Sequence, residues 1–174
     1  MKIIEAMNEL KLTEKKLSQR LAFIQRYAAR PSFRDDAFGG AESAKVAQAV
    51  QSANDLIAQH EAMKRAIDYT NLMTNVTVAG KEYSIHSLIL HKRFLLKLKS
   101  NVVASLNDQQ AKAEVAQLMQ RGGTEQKVNA QVVYNYNIQE KEDQLTKLAE
   151  MASSIDSTLQ IANAQLDLKE APRG

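Results

Sequence analysis

The stretch IIEAMNELKLTEKKLSQRLAFI, residues 3–24, decides how the rest of the chain is read. Ile3, Met7, Leu10, Leu17, Leu21 and Ile24 are spaced alternately by four and three residues, with Glu14 as the one polar interruption. Side chains return to one face of an α-helix about every 3.6 residues, so this alternation marks a helix that packs lengthwise on another helix. The spacing predicts a helix over residues 2–27. It stops short of Pro31, because the residue before a proline is disfavoured in the α region.

Beyond it, residues 29–40 read as a loop ending in Gly39-Gly40. A second helix is predicted over 41–73, with the seam Val46, Ala49, Ala53, Leu56, His60, Met63 and Ile67. At 1.5 Å per residue it is about 45 Å long, and its alanines allow a neighbour to come close. The period then changes. Asn75-Val76-Thr77-Val78-Ala79-Gly80-Lys81-Glu82-Tyr83 sets β-branched residues around a glycine, which predicts a hairpin over 75–83. A third helix is expected over 85–119, stopped by Gly122-Gly123. Residues 128–136 alternate apolar with polar side chains and predict a strand that pairs with the hairpin.

The last helix is expected over 137–169, where Asn137 and Glu140 have the capping-box spacing. Its seam is Ile138, Leu145, Leu148, Ala152, Ile155, Leu159, Ala162 and Leu166. The expected fold is mainly α: one domain over 1–174, a bundle of about four long antiparallel helices with a small β element at one end.

Composition agrees with that reading. The 174 residues are 44% hydrophobic and only 5% aromatic, so the core must be aliphatic and alanine-based. Two prolines and six glycines leave too few turns for a β-sandwich. With no cysteine, disulfides, thiolate zinc sites and cysteine nucleophiles are excluded. Twenty-three basic against 20 acidic side chains give a net charge of +3, too little to imply nucleic acid. Glu5 interrupts any apolar signal region, and no run of apolar residues is long enough to span a membrane, so a cytoplasmic origin is expected.

No constellation of residues specifies catalysis. His86 and His91 are five apart and point to different faces of a helix, unlike an i, i+4 metal pair. His60 lies on a seam and reads as a polar residue that fixes helix register. Asp35-Asp36 beside Arg30 and Arg34 reads as a solvated loop. Arg26, Arg30 and Arg34, four residues apart, form a candidate basic contact that could meet nucleic acid, an acidic partner subunit, or simply Asp35 and Asp36. No catalytic, metal-binding or cofactor-binding residue is assigned, and no cofactor is expected. The basic apolar stretch Leu88 to Lys99 carries the alternative reading, a membrane-active helix. On a helical wheel its apolar residues occupy more than one face, which predicts burial between two layers of a bundle.

The layout resembles a family of small bacterial and phage-encoded proteins described as septicolysin-like. The likeness rests on the opening Met1-Lys2-Ile3-Ile4-Glu5-Ala6-Met7. It continues through Ile67, Thr70, Asn71, Thr74, Gly80, Ser84-Ile85 and Arg93, and then Ile155-Asp156, Gln160, Asn163 and Asp167-Leu168. The chain departs from that pattern in Arg30-Pro31-Ser32-Phe33-Arg34, where the family has an acidic, glycine-containing turn, and in Ala164, where it has a tryptophan. The resemblance implies a helical, oligomer-forming protein without catalytic residues. The expected function is a non-enzymatic structural or assembly protein whose partners are copies of itself or other structural proteins. A phage virion component of head, collar or tail is the concrete version. Ile3, Met7, Leu10, Leu17, Leu21, Ile24, Ile138, Leu145, Leu148, Ile155, Leu159 and Leu166 are its candidate packing and interface residues. Neither nucleic acid nor membrane is expected as a partner.

Overall fold

The computed structural model describes residues 1–121 and 131–172. The chain is mainly helical: α1 (Ile3–Tyr27), α2 (Glu42–Leu72), strands β1 (Asn75–Val78) and β2 (Lys81–Ser84), then α3 (Ile85–Leu90). A π-helical turn (His91–Leu95) joins α3 to α4 (Leu96–Ala104), and α5 (Gln109–Arg121) and α6 (Ile138–Gln165) follow. These residues form two compact units. The first holds Met1–Val76, Ser84–His86 and the segment from Leu159 onward; the second holds Thr77–Tyr83 and Ser87–Thr158.

In the first unit α1 and α2 form a helical hairpin, the one helix pair in extended backbone contact among the described residues. They run antiparallel, since Glu14 meets His60 while Lys16–Phe23 lie beside Ser52 and Leu56. The α2 seam is as its spacing predicts: Ala49, Ala53 and Ile67 are buried, and Val46, Leu56, His60 and Met63 half-buried. The α1 seam differs from its prediction. Ile3, Leu10, Leu17 and Ile24 are buried or half-buried, but the residues between them on the packed face are Ala6 and Thr13, while Met7 and Leu21 are exposed. Bulky residues dominate the apolar pattern, yet only small ones fit between closely approaching backbones. Thr13 satisfies its buried hydroxyl by donating to the Glu9 carbonyl at 2.9 Å.

Residues beyond α6 complete this unit. Ile3 N–H donates to the Leu166 carbonyl at 3.0 Å, Leu168 N–H donates to the Met1 carbonyl at 2.9 Å, and Lys2 and Asp167 form an antiparallel bridge. Lys169 N–H donates to the hydroxyl of fully buried Thr70 at 2.9 Å. The last helix is expected to reach 169, but it ends at Gln165 because the Leu166 carbonyl and the Leu168 N–H bond to the start of the chain and the Lys169 N–H to Thr70 on α2.

The hairpin of β1 and β2 forms as predicted. Its two turn residues, Ala79 (φ 51°) and Gly80 (φ 77°), both have positive φ, the signature of a type I′ turn whose twist suits the flanking strands.

The helix expected over 85–119 is interrupted twice. It passes through the π turn, ends at Ala104, and restarts at Gln109. Asn107 Oδ1 accepts the Gln109 N–H at 3.2 Å, and the Asp108 carbonyl accepts the Lys112 N–H at 2.9 Å, so Asn107-Asp108 caps a new helix. Residues 131–136 form no strand, which corrects the prediction for 128–136; residues 128–130 and Gly122-Gly123 lie outside the described residues. Tyr134 is held instead by a side-chain bond, its hydroxyl donating to Asp108 at 2.7 Å. Alternating polarity specifies a strand only where a sheet edge is there to pair with it.

Candidate functional site

The second unit carries a groove of about 480 Å³ between α4 and α6. Leu96, Val102, Val103, Leu148 and Met151 supply its apolar lining, and Tyr83, His91, Lys99, Gln144 and Lys147 its polar groups. The α6 residues are spaced i, i+3, i+4 and i+7, so they share one helix face. A π turn holds one more residue than an α turn and displaces the register of α4 against α3 by one position. That displacement explains why the apolar residues of 88–98 occupy more than one face of a uniform helix. They do not become a buried layer, as the wheel predicted: Leu88 is fully buried, whereas Leu90, Phe94, Leu95 and Leu98 are exposed.

His91 opens the π turn. Its Nδ1 lies 2.9 Å from the Ser87 carbonyl, an acceptor only, so Nδ1 carries the proton and Nε2 is left with its lone pair in the neutral ring. The ring packs edge-on against Tyr83, centroids 5.4 Å apart. Lys92 is committed elsewhere, with Nζ 2.7 Å from Asp156. Between Glu82 and Asp108 the sequence has four lysines and arginines and no acid, so the helix beside the groove is strongly electropositive.

A second polar cluster joins α5 to the segment before α6. Asp108 accepts from Tyr134 and lies 2.9 Å from Lys112 Nζ; these two partners hold its carboxyl below the usual carboxylate range. The same bond to Asp108 pushes the Tyr134 hydroxyl up. Tyr134 and Tyr136 meet edge to face at 5.6 Å. Each group in the cluster is answered by another, which is the pattern of a structural lock.

The first unit uses its arginines internally. Arg30 and Arg34 converge on the buried carboxylate of Glu42 at 3.0 and 3.4 Å. An Arg30 guanidinium N–H also donates to the Arg34 carbonyl. Asp36 accepts the backbone N–H groups of Phe38 and Glu42 at 2.7 and 3.1 Å, capping the start of α2. Desolvation pushes the Asp36 carboxyl up, but these amide donors outweigh it and the net shift is downward. Arg26 lies over the Tyr27 ring at 5.4 Å. Thus two of the three residues proposed as a basic contact neutralise a buried acid of their own loop. The sign to look for was Glu42, eleven residues beyond Pro31.

Glu14 and His60, the polar interruptions of the first two seams, meet each other with Oε1 and Nε2 3.1 Å apart. A matched polar pair within an apolar seam favours one helix register over its neighbours. On α6, Ile155 and Leu159 are buried, Leu145 and Leu148 half-buried, and Ile138 exposed; Leu166, just past its end, is half-buried. No group of three or more potential metal ligands occurs among the described residues. No described helix is long and apolar enough to cross a membrane.

Compared with known proteins, the chain matches no family model, and neither a curated protein nor a solved structure shows significant similarity to it.

Proposed function

We propose that this is a non-enzymatic assembly protein that self-associates or decorates a larger structure. One observation carries the reading: Leu90, Phe94, Leu98 and Val102, spaced four residues apart, are 42%, 59%, 59% and 70% exposed. A contiguous row of large apolar side chains facing water marks a surface that another chain covers. Met7 and Leu21 on α1, and Val50 and Ile57 seven residues apart on α2, add to the apolar surface. In this reading the four-helix bundle expected from the seams is completed by a second chain. The concrete version, a head, collar or tail component of a phage virion, draws on the septicolysin-like resemblance.

Light scattering over a concentration series tests it. The expected result is a mass that is a multiple of 19.4 kDa, reduced to one chain by Phe94→Asp with Leu98→Asp. A single-chain mass from micromolar to millimolar would overturn self-association and direct the search to a different partner.

A second reading uses the same row with its basic neighbours Arg93, Lys97 and Lys99, as an amphipathic helix lying on an anionic bilayer. It predicts leakage of anionic vesicles at low salt, lost in Lys97→Glu. Wild-type protein that never binds such vesicles rules it out.

A further inference from the structure

We propose that the groove between α4 and α6 binds a single anionic amphiphile, a free aliphatic carboxylate of the fatty-acid type. Three features select this class. The volume of about 480 Å³ lies within the range of small-molecule sites, roughly 300–1,000 Å³. The floor is aliphatic, from Leu96, Val102, Val103, Leu148 and Met151, with Tyr83 the single aromatic ring carbocycle in the lining. A flexible methylene chain conforms to such a surface, whereas a flat ring system prefers aromatic faces to stack on.

The charge of the site picks out the head group. Lys99 and Lys147, one from each wall, line the groove together, and no carboxylate is among the lining residues. Neither lysine forms an ion pair with another described residue, in contrast to Lys92 of the π turn, which pairs with Asp156 of α6. Two ammonium groups that form no ion pair among the described residues, set beside an apolar trough, are what a carboxylate needs to anchor a chain lying in it. His91, whose Nδ1 bonds to the Ser87 carbonyl, lines the groove beside the Tyr83 ring. From His91 to Val103 the helix extends about 18 Å at 1.5 Å per residue, enough for a chain laid along it. The groove meets the outward row at Val102, but Leu90, Phe94 and Leu98 do not line it. A free monomeric amphiphile is therefore assigned to the groove, and not a bilayer surface.

Titration calorimetry on the full chain tests the assignment with three probes: dodecanoate below its micellar concentration, dodecyltrimethylammonium, and vesicles of anionic phospholipid. Dodecanoate is expected to bind one per chain, and the ammonium amphiphile, with the same chain and opposite charge, at least about tenfold more weakly. Lys99→Glu with Lys147→Glu should reverse that preference. Met151→Trp should fill the trough and abolish binding of both. Leu98→Asp, outside the groove, should leave dodecanoate binding unchanged. Circular dichroism of each variant establishes that it is folded. Should a variant with both lysines reversed fail to fold, the single change Lys147→Gln, on the exposed side of α6, carries the same expectation of weakened dodecanoate binding.

The proposal is overturned if dodecanoate does not bind, if the ammonium amphiphile binds equally well, or if folded lysine variants keep wild-type affinity. It is also overturned if Leu98→Asp removes binding while the lysine variants do not, since the outward row would then be the contact. Binding to vesicles without binding of free dodecanoate would transfer the chemistry to a membrane surface and equally end the assignment. The mass measurements are independent of these outcomes.

Discussion

The two units solve the same problem in opposite ways. Of the buried apolar residues, Ile3, Ala6, Ala49, Ala53, Ile67, Ile85, Leu159 and Ala162 belong to the first unit, and only Val78, Leu88, Val103 and Ile155 to the second. In the first, small residues on α1 and α2 let two helices close along their length, and buried Thr13, Glu42 and Thr70 find partners. In the second, α4 and α6 leave a trough between them, and a row of leucine and phenylalanine faces outward. The difference teaches that seam geometry depends on the small residues as much as on the large ones. Where bulky side chains have no small residues between them, helices stand apart and their apolar faces remain for something else.

The largest effects should come from two substitutions on α3. Ile85 and Leu88 are three residues apart and both fully buried, yet they belong to different units. Ile85→Ala and Leu88→Ala should each cost about 2–5 kcal/mol in denaturant unfolding. Hydrogen exchange should then accelerate first in α1 and α2 for Ile85→Ala, and first in α4 for Leu88→Ala. Identical exchange patterns would break the comparison by making the chain one cooperative block.

Glu42→Ala should cost about 1–3 kcal/mol, because it removes a buried acceptor and leaves Arg30 and Arg34 facing each other. An unchanged melting temperature would show that the loop between α1 and α2 is not held by this cluster. A smaller change of opposite sign is expected at the hairpin. Ala79→Asn creates the Asn-Gly pair favoured in type I′ turns and should stabilise by about 0.5–1 kcal/mol. Loss of stability there would refute the turn geometry.

Acid should affect both units. Asp36, Asp108 and Asp167 all have carboxyls held below their ordinary value of 3.8, Asp167 chiefly through its bond from Lys2. A lowered folded-state value contributes stability that is present above 3.8 and lost as the pH falls through the folded value. Thermal melts at pH 7 and near pH 3 should therefore differ, and Asp167→Asn or Asp108→Asn should narrow the gap. The smallest stability effect belongs to Leu98→Asp, within about 0.5 kcal/mol, because its side chain already faces water. A large loss at that position would mean the outward row is packed within the chain.

Much of this architecture is legible in the amino-acid sequence. The alternation of four and three located α1, α2 and α6 to within a few residues, and Gly80 among β-branched neighbours located the hairpin. The spacing misplaces the packed face of α1 at Met7 and Leu21, because hydrophobicity ranks methionine and leucine above alanine and threonine, while close helix packing ranks them the other way. The break at 105–108 had a readable sign in Asn107-Asp108, masked by apolar residues on both sides. The π turn had an indirect one, in apolar residues that fit no single helical face. The groove had none, since it depends on Lys99 and Lys147, 48 positions apart, being brought to facing walls.

The placement of residues 166–169 against the first turn of α1 and the end of α2 has a consequence for biosynthesis. A ribosome adds roughly 5–20 residues per second, so the strip that accepts at the Leu166 carbonyl and donates from the Leu168 N–H emerges roughly 5–20 seconds after α2 has left the tunnel. Throughout that interval the Thr70 hydroxyl and the Met1 carbonyl wait for donors on chain that does not yet exist. Translation speed through the second unit thus sets how long the first stays incomplete, and slow codons there would lengthen its exposure to chaperones and proteases.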